Sequence, residues 1–139
     1  MTTPSGPVLA VGAVALHEDR LLLVRRGHGP AAGTWSVPGG RVDRYETLHE
    51  AVVRETAEET GLRVVVHRFL GWVERMGEEA DGHHFVILDF EVTPLDDPEL
   101  VEAGDDAAEA LWVPTADLSD YRLAPGLFEF LVDVEVLTG

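Results

Sequence analysis

The chain has 139 residues, 45% of them hydrophobic, and contains neither cysteine nor lysine. This composition excludes disulfides, thiolate metal sites and mechanisms that need a reactive lysine, such as Schiff-base chemistry. Ten basic residues stand against 26 acidic ones, and a formal net charge of -16 disfavours binding to a nucleic-acid polymer or an anionic membrane. We therefore expect one domain over residues 1–139, located in the cytoplasm, with residues 1–7 as a loose tail.

The N-terminal part of the chain is predicted to form a β-hairpin followed by a loop. Residues 8–16 are apolar at nearly every position, which is typical of a strand covered on both faces. Residues 17–20 are typical of a hairpin turn, and residues 21–24 form the second strand of the hairpin. Glycine and proline then predict a loop over residues 27–40, interrupted by a brief strand at residues 35–37.

A helix is predicted from Leu48 to Thr60. Thr47 and Glu50 have the spacing of a capping box, in which each side chain binds a free backbone N–H at the start of the helix. The segment from Ala51 to Thr60 contains neither glycine nor proline, and Gly61 follows where a left-handed C-terminal cap is common. The signals at both ends therefore define the boundaries of this helix.

The rest of the chain is predicted to contain three more strands and a closing helix. Residues 62–73 and 83–92 form two strands joined by a polar turn, and residues 93–108 form an acidic loop. Residues 110–113 form a short strand, and residues 125–137 form the last helix. This order, rich in strands with two helices, indicates an α+β fold or a mixed-sheet sandwich.

The strand at residues 83–92 alternates between apolar and polar side chains. Its apolar phase contains Val86, Leu88, Phe90 and Val92, whereas Asp89 and Glu91 fall in the other phase. Successive side chains of a strand point to opposite faces of the sheet. We therefore expect one face of this strand in the core and a polar opposite face.

Three glutamates share one face of the predicted helix. Glu55, Glu58 and Glu59 are spaced i, i+3 and i+4, and at 3.6 residues per turn they lie within an arc of about 100°. Like charges at this spacing cost roughly 0.2–0.5 kcal/mol per pair, and the last turn of a helix also disfavours negative charge. A solvated acidic face is one explanation of the cluster. A hard divalent cation bound by the carboxylate oxygens is the other.

Residues near this cluster favour the second explanation. The segment from Trp35 to Gly40 ends in two glycines, which predict a tight loop whose backbone an ion or a phosphate can approach. Arg54 lies between this loop and the acids in sequence, and it is able to hold a glutamate in place by a charge-assisted pair.

The segment from Gly40 to Leu62 resembles the Nudix box, the signature of the Nudix hydrolase family. The matching positions are Gly40, Glu46, Arg54, Glu55, Glu58, Glu59, Gly61 and Leu62. Two positions depart from the usual pattern, since Thr56 replaces an aliphatic residue and Tyr45 stands where glycine is frequent. The preceding segment and the order of elements also fit, so the resemblance implies a Nudix α/β/α sandwich over nearly the whole chain.

The resemblance also implies hydrolysis of a nucleoside diphosphate linked to another moiety. It implies Mg²⁺, with Mn²⁺ as a substitute, bound by Glu55, Glu58, Glu59 and the carbonyl of Gly39. An activated water then attacks phosphorus, and either Glu58 or Glu59 is expected to lie nearest to that water.

Further residues enter the site if the layout of the family holds. A downstream acid often completes such sites, and Asp106 is the candidate here, with Asp105 and Glu109 as rivals. Arg25 and Arg26 would point toward the mouth of the site, where one of them clamps a phosphate. Alternatively, Arg25 and Arg26 are surface arginines that pair with some of the many acidic residues. Four aromatic residues are candidates for base stacking, although most aromatic residues at strand positions are core residues: Trp35, Trp72, Phe85 and Trp112.

The residues after the box carry no marker of one substrate subgroup, so three hypotheses stay open. The first is a pyrophosphatase for ADP-ribose or a nucleotide sugar. The second is a pyrophosphohydrolase of nucleoside triphosphates of the MutT type. The third is a Nudix domain that senses a ligand without turnover, which the full set of acids disfavours. The expected partner is a small molecule, and a two-fold homodimer is the default assembly.

Overall fold

The computed structural model describes residues 6–27, 32–77, 82–104 and 107–137. They form an α+β fold with the elements β1 (Val8–His17), β2 (Arg20–Arg26), β3 (Trp35–Ser36), β4 (Gly39–Arg41), α1 (Leu48–Thr60), β5 (Val64–Met76), β6 (His84–Pro94), β7 (Ala107–Pro114) and α2 (Leu127–Asp133). No helix within these ranges is long and apolar enough to cross a membrane. Most of the expected N-terminal tail, residues 1–5, lies outside the described residues.

Strand β1 lies at the centre of a mixed sheet with the strand order β3-β2-β1-β6-β5. It pairs in parallel with β6 and antiparallel with β4, and its C-terminal end pairs antiparallel with β2. Strand β7 also pairs with β2, and β5 pairs antiparallel with β6. Because parallel neighbours need a long crossover connection, the chain between β1 and β6 has room to carry α1 across one face of the sheet.

The prediction that β1 is covered on both faces is confirmed. Val11 and Ala13 pack into a core beneath α1, together with Val52 of that helix. Val14 points the other way, into a second core that contains Leu131 of α2. The alternation along β1 therefore separates two cores, one on each side of the sheet, as in the expected α/β/α sandwich.

Helix α1 begins and ends at the predicted residues. The hydroxyl of Thr47 accepts the N–H of Glu50 at 3.1 Å, and the Glu50 carboxylate accepts the N–H of Thr47 at 2.9 Å, which completes the capping box. Gly61 ends the helix in the left-handed conformation, with φ 73°. Thr56 is buried without an unsatisfied hydroxyl, because it donates to the Val52 carbonyl at 2.7 Å.

The predicted loop over residues 27–40 is wrong at its C-terminal end, because Gly39–Arg41 forms strand β4 beside β1. The two glycines permit close packing rather than a turn. A Cβ on Gly39 would overlap the backbone of β1, and a Cβ on Gly40 would lie 2.5 Å from the Glu55 carboxylate. Glycine next to proline is a local turn signal, whereas the pairing with β1 is a long-range contact that local sequence does not report.

Other element boundaries differ from the prediction by a few residues. The hairpin turn at residues 17–20 is confirmed, and its two central residues have φ of 51° and 61°. Strand β7 begins at Ala107 rather than at residue 110, because its pairing with β2 continues to that end. Helix α2 is shorter than residues 125–137, since it begins after Gly126, at φ 80°, and ends at Asp133.

Tyr45 has a backbone conformation that favours glycine. Its φ is 64°, in the left-handed region that residues with a Cβ rarely adopt. The residue is 92% exposed, and the centre of its ring lies 5.1 Å from the guanidinium carbon of Arg44. The aromatic side chain at this position of the box therefore faces solvent.

Asp89 is only 3% exposed, so the prediction of a polar face for its strand is wrong at this position. Its Oδ1 is the only buried side-chain oxygen or nitrogen without a hydrogen-bond partner in the part of the chain that the structure describes. Burial raises the pKa of Asp89 to about 7, although the positive charge of Arg75 opposes the rise. The alternation is misleading here because both faces of β6 are buried at this point, where Asp89 and its neighbour Phe90 are each 3% exposed.

We expect Thr47→Ala to lower the free energy of unfolding by about 1 kcal/mol, because it removes one half of the capping box of α1. Thr47→Ser keeps the hydroxyl and serves as the matched control. Urea denaturation measures the difference between the variants. Equal stability of the wild type and Thr47→Ala would contradict a stabilising role for this cap.

We expect the wild type to lose stability relative to Asp89→Asn as the pH rises from 3.8 to about 7. The folded-state pKa of Asp89 lies above the unfolded value, so the folded chain holds a proton that the unfolded chain has released in this range. At about 1.4 kcal/mol per pKa unit, the free energy of unfolding changes by a few kcal/mol. Urea denaturation of both proteins at several pH values measures this change, and parallel pH profiles would disprove the raised pKa.

Candidate active site

The two glycines of β4 lie directly against two glutamates of α1. The N–H of Gly39 donates to Oε1 of Glu59 at 2.8 Å. The Cα of Gly40 faces Glu55 so closely that an added Cβ would lie 2.5 Å from the carboxyl carbon. Residues four apart on a helix share one face. Helix α1 therefore packs its acidic face against this short strand.

Arg54 joins the segment before α1 to the acids of the helix. Its Nε and Nη2 donate to the two carboxylate oxygens of Glu46 at 2.7 and 2.9 Å. Its Nη1 donates to Glu55 at 2.8 Å and to Glu58 at 3.2 Å. Nη2 also donates to the carbonyl of Arg41 at 3.0 Å. The planar guanidinium offers its donors in a fixed fork, so one side chain orients three glutamates at once.

These hydrogen bonds keep the network ionised. The side chain of Arg54, followed by the backbone N–H of Asp43, lowers the pKa of Glu46 to about 2. Glu46 in turn raises the pKa of Arg54 above its ordinary value, with smaller contributions from Glu55 and Glu58, and burial only partly opposes this. Since neither Arg54 nor Glu46 changes charge near neutral pH, the pair holds the shape of the site and does not exchange protons.

Arg54 supplies part of the counter-charge that the acidic cluster needs, so a bound cation is not required to explain every glutamate. Four carboxylates against one guanidinium nevertheless leave three formal negative charges among Glu46, Arg54, Glu55, Glu58 and Glu59. A net negative charge at this density favours a further cation.

The three glutamates of the predicted metal site are not gathered around one point in this structure. Within the described ranges, no three His, Cys, Asp or Glu side chains are arranged to hold a metal ion. Glu55 and Glu58 pair with Arg54, and Glu59 accepts the N–H of Gly39. The donor chemistry still fits a hard divalent cation, because the groups at the site are carboxylate and backbone oxygens.

A cavity of about 600 Å³ opens beside the cluster, a volume typical of small-molecule sites. Glu55 and Glu59 line it together with Gly39 and Gly40 of β4. Glu58 is not among the described residues of the cavity wall, and its side chain is 40% exposed. The structure therefore separates the three glutamates into two that line the cavity and one that lies nearer the solvent.

Both predicted phosphate-binding residues, Arg25 and Arg26, line this cavity. Glu109 accepts hydrogen bonds from Nε of Arg25 at 3.0 Å and from Nη2 at 2.8 Å, so Arg25 has an acidic partner as well as a position in the site. Of the three acids considered downstream of the box, Glu109 thus pairs with an arginine. Asp105 and Asp106 lie outside the described residues.

Sequence reasoning missed several residues that line the cavity, namely Gly12, Arg41, Arg75, His83 and Asp89. The register of the sheet brings them together, because Asp89 pairs with Gly12 of β1 and Arg75 pairs with Phe85 of β6. Only Asp89 carried a local signal, since aspartate is rare inside an apolar strand.

The four aromatic candidates separate into different environments. Phe85 lines the cavity. Trp35 and Trp112 are buried in the two cores, and Trp72 is 63% exposed. Among these four residues, Phe85 is therefore the one that remains a candidate for base stacking on the cavity wall.

The chain matches the NUDIX domain family over residues 6–134. The ADP-ribose pyrophosphatase of Methanocaldococcus jannaschii is 39% identical over 104 residues, which are 75% of this chain and 60% of that relative. The low-salt glycan biosynthesis protein Agl8 of Haloferax volcanii is 39% identical over 99 residues, which are 68% of this chain and 63% of that relative. The chain thus spans less than two thirds of the length of either relative.

A solved structure shares the fold along nearly the whole chain. The NUDIX domain of NrtR from Shewanella oneidensis, in complex with ADP-ribose, is 25% identical with a TM-score of 0.75, and the match covers 95% of this chain and 88% of that one. The family match includes α1, β4 and the strands that surround the cavity. The chain belongs to the NUDIX domain family.

Proposed function

We propose that this chain hydrolyses a phosphoanhydride bond in a nucleoside diphosphate derivative of the ADP-ribose or nucleotide-sugar class. The observation that carries the proposal is one cavity lined by Glu55 and Glu59 and also by Arg25 and Arg26. Carboxylates suit a divalent cation, and arginines suit phosphate oxygens. A diphosphate bound with its cation needs both kinds of group within reach.

Electrostatics support binding of the diphosphate together with a cation. A phosphate oxygen about 4 Å from a carboxylate is repelled by about 4 kcal/mol at an effective dielectric constant of 20. Arg54 offsets only part of the negative charge of the cluster. When bound, a divalent cation neutralises charge on the phosphate oxygens and acidifies a water molecule. The candidate ligands for Mg²⁺, or for Mn²⁺ in its place, are Glu55, Glu58, Glu59 and the Gly39 carbonyl.

We assign a separate role to each residue of the site. Arg54 is a positioning residue, which holds Glu55 at the cavity through the bond at 2.8 Å. We assign Glu59 as the acid nearest to the attacking water, because it lines the cavity and Glu58 does not. One of Arg25 and Arg26 binds the phosphates. Asp106 remains the candidate for an additional acid.

Relatives support the substrate class. One relative is named as an ADP-ribose pyrophosphatase, and the NUDIX domain of NrtR binds ADP-ribose. Another relative, of equal identity, is named for glycan biosynthesis, which keeps sugar-containing nucleotides in the substrate class to be tested.

The proposal is tested with ADP-ribose, UDP-glucose and a deoxynucleoside triphosphate as substrates, each with Mg²⁺, and with products separated by ion-exchange chromatography. We expect cleavage of ADP-ribose, of UDP-glucose or of both into a nucleoside monophosphate and a sugar phosphate. Exclusive conversion of the triphosphate to monophosphate and pyrophosphate would contradict the substrate class. Binding without products would contradict catalysis and identify a ligand-sensing domain.

We expect Glu59→Gln to reduce turnover by at least about 100-fold, because it removes a carboxylate that we assign to the cation and the water. Initial rates with the substrate that the preceding test identifies measure the effect, and circular dichroism verifies the fold. Glu102→Gln, an exposed acid just beyond α1, is the matched control and should keep the wild-type rate. A wild-type rate in Glu59→Gln would exclude Glu59 from the reaction.

We expect EDTA to abolish turnover and added Mg²⁺ or Mn²⁺ to restore it, because the acidic cluster repels a diphosphate without a cation. Titration of the metal-free protein with Mn²⁺, followed by electron paramagnetic resonance, checks binding independently of turnover. Full activity in EDTA would refute the requirement for a divalent cation.

A further inference from the structure

Asp89 lies in a row of glycines that crosses the sheet. Gly39 of β4 pairs with Gly12 of β1, Gly12 pairs with Asp89 of β6, and Asp89 pairs with Gly71 of β5. Directly opposed residues in a sheet normally bring their side chains into contact. The paired neighbours of Asp89 have no side chains, so its carboxyl group is not covered from within the row.

The carboxyl group of Asp89 lies over Gly12, and both residues line the cavity. A Cβ on Gly12 would overlap Oδ1 of Asp89, so glycine at this position makes the room that the carboxyl occupies. Oδ1 is buried and has no hydrogen-bond partner. Folded proteins keep few such atoms, and each needs an explanation.

The residues that the structure describes around Asp89 give its Oδ1 no hydrogen bond. Arg75, whose charge acts on Asp89, donates to the carbonyl of Pro125 at 2.6 Å. Arg54 donates to Glu46, Glu55, Glu58 and the carbonyl of Arg41, and these hydrogen bonds do not include Asp89. Asp89 also belongs to no potential metal-holding group of side chains in the described ranges. A ligand in the cavity is able to supply the missing hydrogen-bond donor, because Asp89 lines the cavity.

We propose that Asp89 is a specificity-determining residue of this cavity, whose Oδ1 accepts a hydrogen bond from an N–H or O–H of the nucleoside part of the ligand. The proposal rests on the proposed function, because it takes the ligand to be a nucleotide. It adds a recognition contact on β6, separate from the acids of α1 and the phosphate-binding arginines.

The chemistry of Asp89 suits a neutral polar group better than a phosphate. A carboxyl group buried in an apolar strand favours its uncharged form, and the pKa of Asp89 is raised to about 7 for this reason. The other charged or titratable groups along the cavity wall are Arg25, Arg26, Arg41, Glu55, Glu59, Arg75 and His83. Those arginines are the better partners for phosphate oxygens, which leaves nucleobase N–H and ribose O–H groups for Asp89.

The test compares Asp89→Val, Asp89→Asn and the wild type by isothermal titration with AMP, UMP and ribose 5-phosphate. Valine suits a strand and removes both oxygens, so we expect about 10-fold weaker binding of the nucleotide that the wild type binds. The carboxamide introduced by Asp89→Asn retains an acceptor oxygen, so we expect this variant to stay within about 3-fold of the wild type. Asp120→Ala, at the exposed end of a short 3-10 helix, should bind like the wild type.

Ribose 5-phosphate identifies the donor. A loss of affinity in Asp89→Val that persists with this probe assigns the contact to ribose, whereas a loss of affinity seen only with the nucleotides assigns it to the base.

Thermal melts accompany each titration, and we expect Asp89→Val to melt at or above the wild-type temperature, because it replaces an unsatisfied buried acid. Unchanged affinity in Asp89→Val, or a melting temperature lowered by more than about 5 °C, would overturn the proposal. Failure of the wild type to bind any of the three probes would also overturn the proposal, whereas failure to cleave both ADP-ribose and UDP-glucose would overturn the proposed function itself.

Discussion

The hydrogen-bonded network of Arg54 is the interaction on which the arrangement of this site depends. Its guanidinium binds Glu46 before the helix, Glu55 and Glu58 within the helix, and a backbone carbonyl at the end of β4. A helix that carries several acids on one face is disfavoured by their repulsion. By placing one delocalised positive charge among them, Arg54 offsets part of this repulsion and fixes α1 relative to β4.

Close packing between β4 and α1 is the second constraint, and it follows from two residues without side chains. Gly40 allows the carboxylate of Glu55 to lie against the strand, and the backbone of Gly39 binds Glu59. The distance between strand and helix is thereby set by backbone contact. As a result, two acidic side chains reach the same cavity wall as Arg25 on β2.

Asp89 is a buried acid whose burial costs stability. A buried carboxyl without a partner for Oδ1 costs free energy, and an apolar residue at the same position of β6 would avoid that cost. Residues that weaken a fold locally are common at functional sites, where stability and activity compete. The row of Gly12, Asp89 and Gly71 keeps a buried carboxyl group in a strand whose other buried residues, Phe90 and Val92, are apolar.

The sequence alone determined the elements with strong local signals. The capping box and Gly61 specified α1 to the residue, and the spacing of Glu55 and Glu59 placed both on one helical face. The sequence also predicted that Arg54 holds a glutamate in place. Only the tertiary structure decided that Gly39 lies in a strand, that Arg54 binds three glutamates at once, and that Glu58 stands apart from the cavity. It also decided the burial of Asp89. These features arise from pairing and packing between residues far apart in the chain, and local periodicity contains no information about such contacts.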